Sequence, residues 1–154
     1  MKAVITLPTE QDTKDLAHAI LPFVAAGDHI FLTGDLGAGK STFARALIQG
    51  KMAKFGYIED VPSPSFTLVQ TYEFEDLDIW HIDLYRLENT ELEELGLPEA
   101  VEETLMIIEW PDRLNGNLNP AIHIALSFDD AKGRYAEVSW NDPKFSAAIG
   151  RFTK

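Results

Sequence analysis

Gly34-Asp-Leu-Gly-Ala-Gly-Lys40-Ser41 is a full match to the pattern G-x-x-x-x-G-K-[ST], and its surroundings are those the pattern needs. His29–Thr33 ahead of it reads as a strand, and Ser41–Lys54 behind it reads as a helix. The glycines let successive backbone N–H groups turn inward around phosphate oxygens, and the helix N-terminus adds a favourable dipole. Asp35, Gly37, Ala38, Gly39, Lys40, Ser41 and Thr42 are therefore the expected phosphate-binding residues. Lys40 is expected to neutralise the β- and γ-phosphates and the Ser41 hydroxyl to ligate magnesium, so the sequence predicts a protein that binds a nucleoside triphosphate.

A phosphate loop also needs a carboxylate at a strand end, to hold magnesium or to orient water. Two are available. Glu109 follows the continuous apolar run Leu105–Ile108, the pattern of a strand covered on both faces. Asp83 lies in the segment 79–85, where alternation puts His81, Asp83 and Tyr85 on one face and Trp80, Ile82 and Leu84 on the other. The longer and purer run before Glu109 ranks it first as the magnesium carboxylate; which of the two positions the attacking water stays open. Val61-Pro-Ser-Pro-Ser-Phe66 is a loop by its prolines, readable either as a switch whose Ser63, Ser65 and Thr67 reach metal-bound water or as a rigid connector. Trp110 reads as a buried indole. His18, His29 and His123 have no clustered partners and read as surface or packing residues, so no zinc site is expected.

Elsewhere the pattern alternates between helix and strand. Ala3–Leu7 reads as a strand; Thr9 and Asp12 form a capping box opening a helix that ends near Gly27, with Leu16, Ala19, Ile20, Phe23 and Val24 on one face. Phe66–Phe74 and Asp78–Leu84 read as a hairpin across an acidic turn, and Thr90 with Glu93 opens a short helix to Gly96. Ile122, Ile124, Leu126 and Phe128 alternate with period two, as do Ala136, Val138 and Trp140, giving a second hairpin. The expected fold is α/β: a single phosphate-loop NTPase-like domain over residues 1–154, with a mixed central sheet flanked by helices.

The 154 residues carry 13 Lys+Arg against 25 Asp+Glu, a net charge of −12, which argues against a protein that grips nucleic acid unaided. The absence of cysteine excludes disulfides, thiolate metal sites and thiol catalysis. The sequence shows no signal-peptide core, and its longest apolar run is far short of the roughly 20 residues that span a bilayer. A soluble, cytoplasmic protein with no membrane contact is expected.

Four separated stretches, GDLGAGKST (34–42), SPSFTLVQTY (63–72), HIDLYRL (81–87) and IEWPDRL (108–114), together resemble the TsaE family, also called YjeE. Their order and spacing match as well, over nearly the whole chain. The resemblance implies an ATPase binding ATP or ADP with Mg2+, slow alone, that serves threonylcarbamoyladenosine modification of tRNA. It implies docking onto the TsaB–TsaD pair, of which TsaD is the transferase, with tRNA met only through that complex. It also implies that the N-terminal helix containing Thr13, a nucleotide-binding residue, packs beside the adenine, and that Arg134 approaches the nucleotide. Ser41 stands where the family usually has Thr, and Ser65 stands in SPSF where SPTF or SPTY is common; both substitutions keep a hydroxyl in the loop or leave the switch reading intact.

Two other classes fit a phosphate loop. A small-molecule kinase usually brings several basic residues over the transferred phosphoryl group, whereas the five arginines here are scattered. A regulatory GTPase typically carries Asn-Lys-x-Asp, which this chain lacks.

Overall fold

A computed structural model describes residues 1–87, 100–114, 118–131 and 133–153. Seven strands form one mixed sheet in the order β1-β7-β6-β2-β5-β4-β3: β1 (Lys2–Thr6), β2 (His29–Thr33), β3 (Val69–Tyr72), β4 (Ile79–Asp83), β5 (Leu105–Glu109), β6 (Ile122–Asp129) and β7 (Gly133–Trp140). The α-helices among the described residues are α1 (Glu10–Ile20), α2 (Lys40–Lys54) and α3 (Ser146–Gly150). The central strands β6, β2, β5 and β4 run parallel to one another, β7 and β3 flank them antiparallel, and β1 pairs antiparallel with β7 at the outer edge.

The reason β5 reads as an unbroken apolar run is visible in what it touches. Leu105 and Ile107 join the large core beneath the helices. Met106 and Ile108 join a second cluster on the opposite face, with Ile82 and Leu84 of the β4 segment and the half-buried Phe31, Trp80 and Trp110. Among the described residues all three α-helices pack on the first face, and over β4 and β5 the second face is covered by Ala100, Val101, Trp110, Leu114 and Leu118. The mixed α/β sheet expected from the sequence is the one observed, with both hairpins in place. The expected helix at Thr90–Gly96 lies outside the described residues.

Two boundaries differ, each for a local reason. The helix beginning at the Thr9 cap stops at Ile20, seven residues before Gly27, because Pro22 opens a 3-10 turn over Leu21–Phe23. The capping box itself forms, with the Asp12 amide donating to Thr9 Oγ1 (3.3 Å) and the Thr9 amide to Asp12 Oδ2 (2.8 Å). The strand expected from Phe66 starts only at Val69, because Leu68 takes a left-handed conformation (φ 70°) and its amide donates back to the Pro64 carbonyl (2.7 Å). Phe66 is left 83% exposed.

Gly34 is fixed by packing as well as by conformation. Its φ is 140°, and a Cβ there would stand 2.4 Å from the Leu126 carbonyl oxygen of β6. The loop can leave β2 beside β6 only without a side chain. Gly34→Ala is expected to lower stability by about 2 kcal/mol or more, the scale of overpacking combined with backbone strain. Urea unfolding measures it directly, and a midpoint equal to wild type would contradict the close approach.

Candidate functional site

Three parallel strands end together. In register, Leu32 of β2 lies beside Glu109 of β5, and Glu109 beside Asp83 of β4. From this edge the chain leaves β2 into the glycine loop and re-enters regular structure as α2, whose N-cap, Gly39, sits at φ 111°. Open α/β sheets place ligands at such carboxyl ends of parallel strands. Here the edge encloses a cleft of about 230 Å³.

Gly37, Gly39, Lys40, Ser41 and Thr42 line one wall of the cleft, and Asp83 and Glu109 line the other. Ser65 reaches it from the proline-rich loop and Arg134 from β7. Three expected residues do not line it. Asp35 and Ala38 face a neighbouring depression on the other flank of the loop. Thr13 is buried under the loop, its methyl 4.0 Å from where a Gly39 Cβ would stand, and its hydroxyl has no hydrogen-bond partner among the described residues.

The buried charges are held by different partners. Lys40 is 5% exposed; its Nζ donates to the carbonyls of Gly34 (2.5 Å) and Asp35 (2.9 Å) and lies 4.6 Å from the centre of the Trp110 ring. Burial pushes the Lys40 ammonium below its ordinary value, and the charges of Glu109, Asp83 and Asp35 oppose that fall. Glu109, 2% exposed, accepts from the Ser41 hydroxyl (Oε1, 3.4 Å) and bonds His81 Nε2 (Oε2, 2.6 Å). An ionised carboxylate only accepts, so His81 Nε2 carries the proton in that pair. Asp83 accepts from Ser65 Oγ (3.3 Å) and from the Tyr85 amide (3.0 Å). Ser65 also shares a hydrogen bond with Ser63 (2.8 Å), which ties the proline-rich loop to the strand ends.

His81, Tyr85, Trp110 and Glu10 enlarge the site beyond the residues singled out from sequence. Trp110 is half-buried and lines the cleft, so the buried-indole reading is corrected. A left-handed backbone at Trp110 (φ 59°) swings its ring out of the β5 line and against Tyr85, 4.9 Å between centres. Alternation with Asp83 already put His81 on the cleft side of β4, whereas nothing local marks Glu10, which the N-terminus of α1 brings in. The other histidines are packing or surface groups: His29 bonds the Val101 carbonyl (3.0 Å) and His123 the Thr33 hydroxyl (2.9 Å). Among the described residues no cluster of three or more His, Cys, Asp or Glu forms a self-sufficient metal site.

A divalent cation fits this donor set in another way. The cleft gathers Glu10, Asp83 and Glu109 against two cations, Lys40 and Arg134, so an added polyphosphate needs a counter-charge that the protein does not supply. A Ser hydroxyl next to a carboxylate is the donor chemistry with which such loops hold a cation whose remaining ligands are phosphate and water.

The sheet edge, loop and helix N-terminus define a phosphate-loop nucleotide-binding protein. A family model, "Threonylcarbamoyl adenosine biosynthesis protein TsaE", matches residues 7–136. A "tRNA threonylcarbamoyladenosine biosynthesis protein TsaE" from Rickettsia felis is 35% identical over 145 residues, covering 93% of this chain and 83% of that one. A protein of the same name from a Nostoc species is 34% identical over 140 residues, covering 88% and 84%. The crystal structure of Bacillus subtilis YdiB shares the fold, with a TM-score of 0.73 over 99% of this chain and 94% of that one at 22% identity. The chain belongs to the TsaE family. No helix among the described residues is long and apolar enough to cross a membrane.

Removing one half of the buried His81–Glu109 pair leaves a carboxylate without its closest partner. His81→Ala is expected to destabilise the fold by about 3 kcal/mol. His81→Gln, which can keep an N–H toward Glu109, should recover more than half of that loss in urea unfolding. Equal losses in both variants would show that ring packing, not the hydrogen bond, holds the position.

Proposed function

We propose that the protein binds ATP with Mg2+ in this cleft, hydrolyses it slowly, and serves threonylcarbamoyladenosine formation on tRNA by acting on the TsaB–TsaD complex. The observation that supports the reading best is the convergence of Lys40, Ser41, Asp83 and Glu109 on one cleft at the ends of adjacent parallel strands.

Lys40 exchanges the carbonyls of Gly34 and Asp35 for phosphate oxygens, which replaces two weak dipolar partners by charged ones. Gly37, Gly39 and the first amides of α2 turn toward the phosphates. Ser41 and Glu109 would hold the magnesium, which would supply charge neutralisation to the phosphates. His81 fixes the Glu109 carboxyl from behind. Asp83 holds the attacking water through Oδ2, the oxygen that now accepts from Ser65, and takes up its proton or orients it. Arg134 approaches the nucleotide from the cleft wall, while Thr13, buried beneath the loop, supports it from behind at Gly39. Asp35 and Ala38 act through the loop backbone. Arg134 is the only arginine lining the cleft among the described residues, so isolated turnover should fall well below the roughly 1–100 s⁻¹ of kinases.

Lys40→Ala is expected to weaken ATP binding at least tenfold, about 1.4 kcal/mol, in calorimetry with magnesium. The fold should survive, because burial already disfavours that charge. Unchanged affinity would refute the phosphate site.

Asp83→Ala is expected to leave ATP affinity nearly intact and to cut turnover by about 10²-fold or more, since it acts on the water rather than on ground-state binding. Glu109→Gln should instead weaken the magnesium dependence. Loss of binding and turnover in equal proportion for Asp83→Ala would give it a structural or metal role.

The family role is tested by multi-turnover threonylcarbamoyladenosine formation on tRNA with TsaC, TsaB and TsaD supplied. Product should stall near one equivalent per TsaD without this protein and continue past it with the protein and ATP. Continued turnover without it would defeat the assignment while leaving nucleotide binding intact.

A further inference from the structure

The chain carries 25 acidic against 13 basic residues, yet one surface reverses that balance. Between α1 and α2 runs a groove of about 440 Å³, lined by Lys14, Arg45 and Lys54 with His18, and by a single carboxylate, Glu10, at one end. Glu59 and Asp60 follow Ile58 in the chain but do not line it. Its floor is small and apolar where the helices approach most closely: a Cβ at Gly50 would meet Leu21 at 3.0 Å and His18 at 3.1 Å. At the far end, Ile58 is 67% exposed, beside the exposed Phe55 and Tyr57. The groove is continuous with the nucleotide cleft, because Glu10 and Thr42 line both.

We propose that this groove is the docking site for an acidic, amphipathic segment of the protein partner, the TsaB–TsaD pair of the reading above, on which the proposal rests. Three cations in line with an exposed apolar anchor suit a segment that offers carboxylates along one side and a branched or aromatic side chain at its end. Extended nucleic acid fits less well: its backbone has no use for the Leu21 and Ile58 surfaces, and the surrounding charge of −12 repels a long polyanion. A local acidic segment meets only the reversed patch. Arg45 is already oriented, its Nε donating to the Val61 carbonyl (3.2 Å). Lys54 is exposed and Lys14 half-buried on the rim, where Lys14 pairs with Glu10 one turn away (3.6 Å).

The test is titration of the purified TsaB–TsaD complex against wild type, the double reversal Lys14→Glu/Lys54→Glu, Ile58→Ser, and the control Lys2→Glu on the edge strand β1. ATP affinity is measured in parallel. The double reversal should weaken complex formation at least tenfold and flatten its salt dependence. Ile58→Ser should weaken it severalfold, while Lys2→Glu and the ATP affinities stay at wild-type values. Complex formation by the double reversal within twofold of wild type overturns the groove. A change confined to tRNA affinity, or to self-association in sedimentation, also overturns it, in favour of nucleic acid or a second copy. No association of the wild-type protein with TsaB–TsaD overturns the functional reading itself, a result distinct from intact binding by the variants.

Discussion

The parallel register around β5 is the constraint from which the site follows. Leu105–Glu109 is buried along its whole length, so the strand has no solvent face on which to slip. A one-residue shift would carry every side chain to the opposite face. Glu109 shares its face with Leu105 and Ile107, which pack toward the helices, as His81 and Asp83 share theirs with Ile79. The buried faces thus aim both carboxylates at the side of the sheet where α2 begins. Apolar packing several residues away decides which way the charged groups point.

The same arrangement explains how the cleft tolerates buried charge. Lys40 and Glu109 are almost fully buried, but neither is held mainly by the other: backbone carbonyls take the ammonium, and His81 with Ser41 takes the carboxylate. A direct pair would satisfy both charges and leave little for a ligand. Separate partners keep each group compensated and still exchangeable, so that phosphate can replace carbonyls at Lys40 without uncovering Glu109. The polar groups are therefore set in place before a ligand arrives, the condition under which electrostatic stabilisation is most effective.

Much of this was legible because the deciding residues are local patterns. The loop 34–41 sits between a short apolar strand and a helix, and Glu109 ends an apolar run whose continuity marks a buried strand. What escaped depends on conformations that periodicity does not encode. Trp110 reads as core until its left-handed backbone turns the ring into the cleft. Leu68, also left-handed, shortens β3 and leaves Phe66 exposed. Pro22 was visible, but the apolar spacing continues through Phe23 and Val24, so periodicity outran the proline. Glu10 reaches the cleft only through the docking of α1 against α2, a contact between elements with no local signature.

The helix α2 makes the cleft and the groove parts of one element. Its first turn carries Lys40 and Ser41, and its flank carries Thr42, Arg45, Gln49 and Lys54 along the groove. A rigid helix cannot adjust its N-terminus to phosphate without moving the flank that lines the groove. Arg45 extends that link through the Val61 carbonyl to the loop that brings Ser65 against Asp83. Nucleotide at one end and the proposed acidic segment along the side would thus bias the same helix and the same loop. Coupling between two such ligands is reciprocal in binding free energy, typically about 1–3 kcal/mol. Any tightening of the proposed partner by nucleotide would then have to be matched by an equal tightening of nucleotide by that partner.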